Sequence, residues 1–425
     1  MNIPKTDKKR IVIIGGGFAG ISLAKKLKDL DVQLVLIDKH NYHTFQPLLY
    51  QVSTSGLEPD SIAYPLRKVL KNLNNFHFRW AIVEKIDPEH QCLFTSIGKL
   101  SYDYLVMATG TKTNFFGNGA IAKYAMPMKN VPQALNIRSL MLQNFEKADD
   151  CENLEERQSL MNFCIIGAGP TGVELAGAFA ELKNNVFPRD YKHLNVNEMQ
   201  IHLFEGASRV LPPMSGTASK KAAQFLNELG VKIHLNTIVQ DYDGEVMTLK
   251  NQTTLRTRNF IWTAGVTGAS ITGFADDKLM ERLNRYKVNM LNQVEGYENI
   301  FAIGDIAYMQ TKEFPKGHPQ VAQPAIQQGK HLAKNFKNLL EGKILTPFKY
   351  YDKGTMATVG RNRAVVDLKR FKFGGFLAWF IWMFVHLMAL VGFRNRVIVF
   401  FNWAYNYINF DKAARLIVRP FKPKE

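Results

Sequence analysis

The stretch IVIIGGGFAG, Ile11 to Gly20, decides the fold. Four apolar residues run into G-x-G-x-x-G. An unbroken apolar run of this kind reads as a strand buried on both faces of a parallel sheet. Gly15 turns the chain out of the strand, and Gly17 lets the backbone approach a pyrophosphate. Gly20 lets the helix that opens with Phe18 and Ala19 pack against the strand. That helix aims N–H groups and a partial positive charge at the phosphates. One such match is weak. A second, FCIIGAGPTG, spans Phe163 to Gly172, about 150 residues further on. Gly167, Gly169 and Gly172 take the same three places, with Pro170 and Thr171 opening the helix. Such spacing requires two separate nucleotide folds. The expected class is α/β, with two nested Rossmann-like dinucleotide-binding domains.

Each motif needs an acid at the end of the next strand, where a carboxylate accepts hydrogen bonds from ribose hydroxyls. VQLVLIDKH supplies Asp38, followed by Lys39, and MQIHLFEGAS supplies Glu205. Glu205 favours NADH and repels the 2′-phosphate of NADPH. Arg209, four residues on, reads as a solvated loop residue. The gap before Glu205 is long because Asn184 to Asn197 looks like an insertion. Three more strands end in short glycine signatures: YDYLVMATGT in Ala108-Thr109-Gly110, NFIWTAGV in Ala264-Gly265, and ENIFAIGDIA in Gly304-Asp305. In this order they resemble the two-dinucleotide-binding flavoproteins. The resemblance implies FAD at the first fingerprint, NAD(P)H at the second, and Asp305 on the ribityl chain.

The three cysteines, Cys92, Cys151 and Cys164, form no C-x-x-C or C-x-x-x-x-C pair. A disulfide-reductase chemistry and a sulfide:quinone one both need such a pair, and no metal site is evident. The N-terminus MNIPKTDKKR is polar and carries no signal pattern, so the catalytic domains are expected in the cytoplasm. The formal charge of +17 is uneven. From Lys353 onward thirteen Lys and Arg face Asp367, Asp411 and Glu425, a net +10. This tail contains an aromatic, apolar run from Phe373 to Phe410, rimmed by Arg370, Lys372, Arg394, Arg396, Lys412, Arg415 and Arg419. Apolar face, Trp and Tyr edges and basic rim suit an anionic phospholipid surface. No nucleic-acid motif accompanies the charge. Gly374 to Phe393 is long enough to span a bilayer, but the basic break at Arg394-Asn395-Arg396 fits two short interfacial helices better.

Four stretches carry a closer likeness: NYHTFQPLLYQVSTSGLEPDSIAYPLR at Asn41 to Arg67, TGTKTNFFG at Thr109 to Gly117, GAGPTGVEL at Gly167 to Leu175, and AQPAIQQG at Ala322 to Gly329. With the tail they resemble the type II NADH dehydrogenases, single-subunit NADH:quinone oxidoreductases that pump no protons. No calcium-binding insertion appears, so the likeness is to bacterial members. The resemblance implies hydride transfer from NADH to FAD and two electrons onward to a membrane quinone. It implies FAD contacts from Lys39, Gln46, Ala322 and Gln323, a quinone site formed by Gln323 and Gln327, and nicotinamide positioning or proton delivery by Glu174. It implies a homodimer on the cytoplasmic face of the inner membrane, peripheral and monotopic. Two other classes stay open: a soluble reductase of a protein electron carrier, and a flavin-binding redox sensor.

The residues themselves agree with these roles. Pro324 suits the first position of a helix running to about Leu340, and Gln323 and Gln327 share one of its faces. Neutral amides can hydrogen-bond a quinone carbonyl without putting charge in an apolar tunnel. An acid at Glu174, one turn past Pro170, is unhelpful for phosphate binding, and burial would raise its pKa into a range useful for relaying protons. The expected domains are FAD-binding over 1–116 and 276–340, NADH-binding over 117–275, and membrane-anchoring over 341–425.

Overall fold

The structure is a computed structural model that describes residues 1–280, 283–409, 414–417 and 421. Lys412 and Arg419 of the basic rim, and Phe410 at the end of the apolar run, lie outside the described residues. The chain falls into two compact units. One comprises Met1–His43, Tyr64–Lys112 and Val266–Asp352; the other comprises Thr44–Ala63, Thr113–Gly265 and Lys353–Glu425.

The first unit is built on a five-stranded parallel sheet. Its order is Ile300–Ala302, Tyr104–Met107, Arg10–Ile14, Gln33–Asp38, Phe76–Trp80. The first fingerprint strand is central and fully buried, which is why its sequence shows no polar alternation. Side chains still alternate between faces. Ile11, Ile13, Leu34, Leu36 and Val106 meet the helices Phe18–Lys26 and Ala322–Leu340. Val12, Ile14, Val35, Ile37 and Met107 meet Tyr286, Ile306 and Phe348 on the other side. The two helices touch at Gly329, where a Cβ would lie 2.5 Å from the Ala19 carbonyl oxygen. The second helix begins at Ala322, so Pro324 is its third residue and not its first.

The second unit repeats the plan. Its parallel sheet runs Met126–Pro127, Asn259–Trp262, Asn162–Ile166, Gln200–Phe204, Lys232–His234. Again the fingerprint strand is central, with the acid-bearing strand on one side and a late strand on the other. The helix Pro170–Asn185 that follows it is buried continuously from Gly172 to Ala180. The segment that reads as an insertion carries the short helix Phe187–Asp190 and buries Phe187, Leu194 and Val196. It contributes to the core.

The C-terminal part of this unit is an antiparallel sheet of Thr355–Thr358, Ala364–Asp367 and Lys372–Gly374, then two helices, Phe376–Ala389 and Phe393–Asn409. The long apolar run is thus interrupted where Gly392 takes φ +90°. The first of the two helices has 14 residues. At 1.5 Å per residue it is about 21 Å long, short of a hydrocarbon core of about 30 Å. No helix among the described residues is long and apolar enough to cross a membrane.

Candidate active site

The two fingerprint turns are built alike. The Gly15 N–H donates to the Ile37 carbonyl at 2.9 Å, and the Gly167 N–H to that of Phe204 at 2.8 Å. Gly15 and Gly167 have φ of +110° and +100°, in the left-handed region that glycine alone adopts cheaply. A Cβ on Gly20 would lie 1.9 Å from the Gly15 oxygen, and one on Gly172 would lie 1.9 Å from the Gly167 oxygen. The closing acids also match. Asp38 Oδ2 accepts from the Gly16 N–H at 2.6 Å, and Glu205 Oε2 from the Ala168 N–H at 2.8 Å. Each second oxygen accepts from a backbone N–H two residues on, His40 at 2.7 Å and Ala207 at 2.9 Å. Each carboxylate therefore stiffens the turn and keeps lone pairs for a ligand. Burial pushes the Asp38 carboxyl up, against the pull of its two N–H donors.

Several features of these turns fit a dinucleotide. Gly17 and Gly169 are the residues before each helix, no side chain caps either one, and a Cβ there would meet nothing within 4 Å. That is the cradle a pyrophosphate needs. Gly110 faces the same kind of open space, and the buried Thr109 hydroxyl has no partner among the described residues. Gly304, at φ +75°, would bring a Cβ within 3.1 Å of the Ala19 methyl and 3.3 Å of Ala325. The first unit thus brings together the first fingerprint, the Gly304-Asp305 turn and the start of the glutamine helix.

That turn is pinned by a residue the motif reading passed over. Gln328 is 1% exposed, and its Oε1 accepts from the Gly304 N–H at 2.7 Å. Gln323 is half-buried in the helix's first turn. Gln327 Nε2 donates to the Tyr351 carbonyl at 2.9 Å, and its Oε1 accepts from the Tyr351 N–H at 3.0 Å. Both ends of that amide hold backbone, leaving one N–H and one lone pair for any ligand. Ala322 is half-buried and Lys39 exposed; Gln46, also exposed, belongs to the second unit.

In the second unit, Ala264 sits against the turn, 2.7 Å from where a Gly167 Cβ would be, while Gly265 and Thr171 are exposed. Pro170 is the first residue of the helix. Arg209 donates to the Pro212 carbonyl. Glu174 is buried and among the described residues forms no ion pair with a lysine. Burial pushes its carboxyl up to about 8, opposed only by the Thr358 N–H. A carboxyl poised there can hold and release a proton at physiological pH. Thr358 and Tyr50, whose phenol feels the Glu174 charge, also line a cavity of about 150 Å³ in this unit. The rest of its wall mixes Trp379, Trp382, Trp403 and Tyr407 with polar groups, among them Glu181, Asn185, Arg361 and Asn406.

The two C-terminal helices turn aromatic rings outward, and the second also sets asparagines on its inner side. On the first, Trp382 is 1% exposed, whereas Phe380 and Phe384 are 58% and 60% exposed. On the second, Asn395 donates to the Asp60 and Ser61 carbonyls, Asn402 to Glu58, Trp403 to Gln51, and Asn406 to the Gly56 carbonyl. Its outward face presents Phe393, Phe400, Phe401, Tyr405 and Ile408. His386, the ionisable residue of the first helix, is held neutral: burial lowers it to about 4 against the pull of the Trp382 carbonyl. Arg396 donates to the Leu390 carbonyl, and Arg394 is exposed.

Residues 9–329 match the family model for pyridine nucleotide-disulphide oxidoreductases, and residues 352–409 match the NDH2 C-terminal domain. A type II NADH:quinone oxidoreductase of Mycobacterium tuberculosis is 37% identical, over 95% of this chain and 89% of its own length. The chain belongs to the type II NADH:quinone oxidoreductases. Another member, from Haemophilus influenzae, is 30% identical over 86% of this chain and 88% of its own. A solved structure of NDH2 from Plasmodium falciparum, in complex with NADH, shares the fold with a TM-score of 0.88. It covers 97% of this chain and 100% of its own at 23% identity. Against these members of the type II family, the soluble-reductase and redox-sensor readings are not favoured. The three cysteines are free thiols, so the family's disulphide name does not extend to a dithiol in this chain.

Proposed function

We propose that this chain oxidises NADH and reduces a membrane quinone through FAD, without pumping protons. The observation that carries the reading is the pair of matched turns, each with its closing acid, in one chain. The first unit holds FAD through Gly15, Gly17, Asp38, Thr109, Gly110 and Asp305. The second holds NADH through Gly167, Gly169, Glu205 and Ala264. FAD, when bound, takes up a hydride from NADH and gives two electrons to the quinone.

The chain's own groups do the rest. The helix starting at Ala322 directs its positive end and Gln323 at developing negative charge. Gln327 holds the Tyr351 segment and offers its second N–H. Glu174 supplies a proton from a carboxyl that burial keeps protonated. The cavity beside it, walled in part by three tryptophans, accepts the quinone. The outward faces of the C-terminal helices rest in one leaflet, with Arg394 among anionic headgroups on the cytoplasmic face. Two copies pair through their C-terminal regions, which sedimentation in detergent would measure.

The test is steady-state NADH oxidation by detergent-purified enzyme with and without a short-chain quinone. The reading expects a flavin spectrum and strong quinone dependence. NADH oxidation indifferent to quinone contradicts it. For the monotopic placement, a cysteine added at the C-terminus stays unlabelled by an impermeant thiol reagent in intact cells. Labelling from outside would mean that the chain crosses the bilayer.

A further inference from the structure

A chain of hydrogen bonds joins three of the residues that line the cavity, Trp403, Gln51 and Tyr50. The Trp403 indole N–H donates to Gln51 Oε1 at 2.8 Å, and the Gln51 amide N–H donates to the Tyr50 hydroxyl oxygen at 2.9 Å. A phenol whose oxygen accepts a hydrogen bond becomes a better donor of its own proton. Tyr50 is 7% exposed, and among the described residues its hydroxyl proton has no acceptor. Burial, with the Glu174 charge nearby, holds the phenol well above its ordinary ionisation range, so it remains an O–H donor. A buried donor without an acceptor costs stability. Tyr50 lines the cavity, so a ligand there is positioned to supply the acceptor.

The line also reaches the anchor. Trp403 lies on the helix Phe393–Asn409, whose other inward residues bond the segment just after Gln51. Asn406 holds Gly56, Asn402 holds Glu58, and Asn395 holds Asp60 and Ser61. The helix that turns Phe400 and Phe401 outward is therefore tied at four places to the chain that carries Tyr50.

We propose that Tyr50 donates a hydrogen bond to a carbonyl oxygen of the quinone, and that Gln51 and Trp403 are positioning residues that aim the phenol from the anchor helix. This rests on the reading that the quinone occupies the cavity. The O–H stays on Tyr50 throughout, so no bond breaks there. The hydrogen bond stabilises negative charge that grows on the carbonyl as electrons arrive. Quinone reduction thereby depends on the seating of the anchor helix, whereas reduction by NADH does not.

The test uses full-length holoenzyme in detergent, with stopped-flow flavin absorbance. Y50F keeps the ring and loses the donor. Its reoxidation by a short-chain quinone is expected to slow about three- to tenfold, the range for one hydrogen bond, with reduction by NADH unchanged. Q51A slows the same step in the wild-type background and adds nothing in the Y50F background. W403F, which keeps the ring, acts in the same direction more weakly. Wild-type reoxidation in Y50F overturns the proposal, as does Q51A slowing both backgrounds equally. Quenching of tryptophan fluorescence by quinone separates the two levels, because Trp379, Trp382 and Trp403 of the chain's five tryptophans line the cavity. No quenching means that the quinone is elsewhere and the cavity reading fails. Quenching with unchanged reoxidation in Y50F means that only the role of Tyr50 fails.

Discussion

Glu205 has two tasks. Its oxygens fix the Ala168 and Ala207 N–H groups, and in the proposed reading their remaining lone pairs accept from a ribose. E205A therefore loses ligand contacts and loosens the turn. The KM for NADH should rise by an amount equivalent to about 1–3 kcal/mol, with E205Q milder because an amide oxygen still accepts. Initial rates with NADH and NADPH check this, and a wild-type enzyme using both cofactors equally would contradict it. Glu174 gives a prediction with a definite sign. Its folded carboxyl keeps a proton up to about pH 8, while the unfolded one releases it near the ordinary glutamate value of 4.5. The folded state thus binds more protons across that window, and this group's contribution to stability falls as pH rises through it. E174Q has no such term. Denaturant unfolding at pH 5 and pH 9 should show E174Q gaining stability relative to wild type at the higher pH. Parallel curves would mean that the carboxyl is not buried as described.

At the scale of elements, both C-terminal helices turn phenylalanine rings outward, and the second sets a row of asparagines inward. Phe380 and Phe384 touch little protein, so F380S and F384S should leave the melting temperature nearly unchanged. Each should weaken binding to anionic vesicles about tenfold, the order expected for a phenyl ring withdrawn from apolar surroundings. W382A should do the opposite, destabilising the fold by about 3–5 kcal/mol because that ring is a core residue. Vesicle sedimentation and thermal melts separate the two. Equal loss of stability in all three variants would mean that the outward face is misassigned. The sequence reading of this region found two helices and a basic break, but not which face turned inward. A helix that is apolar all round offers little contrast to read. The contrast that does exist, Asn395, Asn402 and Asn406 along one side of the second helix, marks the inner face because backbone carbonyls and the Glu58 carboxylate accept there.

Across the whole molecule, legibility followed the range of the interaction. Both sheets' central strands, both glycine turns and both acids lie within short windows and were readable from spacing alone. Gln328 was not, although it sits inside the quoted AQPAIQQG. Its partner is the Gly304 N–H, 24 residues away, and no periodicity announces a side chain bonded to a distant turn. The Trp403–Gln51 bond joins residues 352 apart and is invisible to any local pattern. Nor does the sequence mark Phe187, within the stretch Asn184 to Asn197 that reads as an insertion, as the core residue it is.

The central claim is that one chain carries a flavin reduced by NADH and reoxidised by quinone. Anaerobic stopped-flow mixing tests it directly. Oxidised holoenzyme is mixed with one equivalent of NADH, and the reduced product is then mixed with a short-chain quinone. The account predicts bleaching of the flavin band in the first mix and full recovery in the second. Q323A should slow only the recovery. A flavin band that NADH does not bleach, or that quinone does not restore, would contradict it.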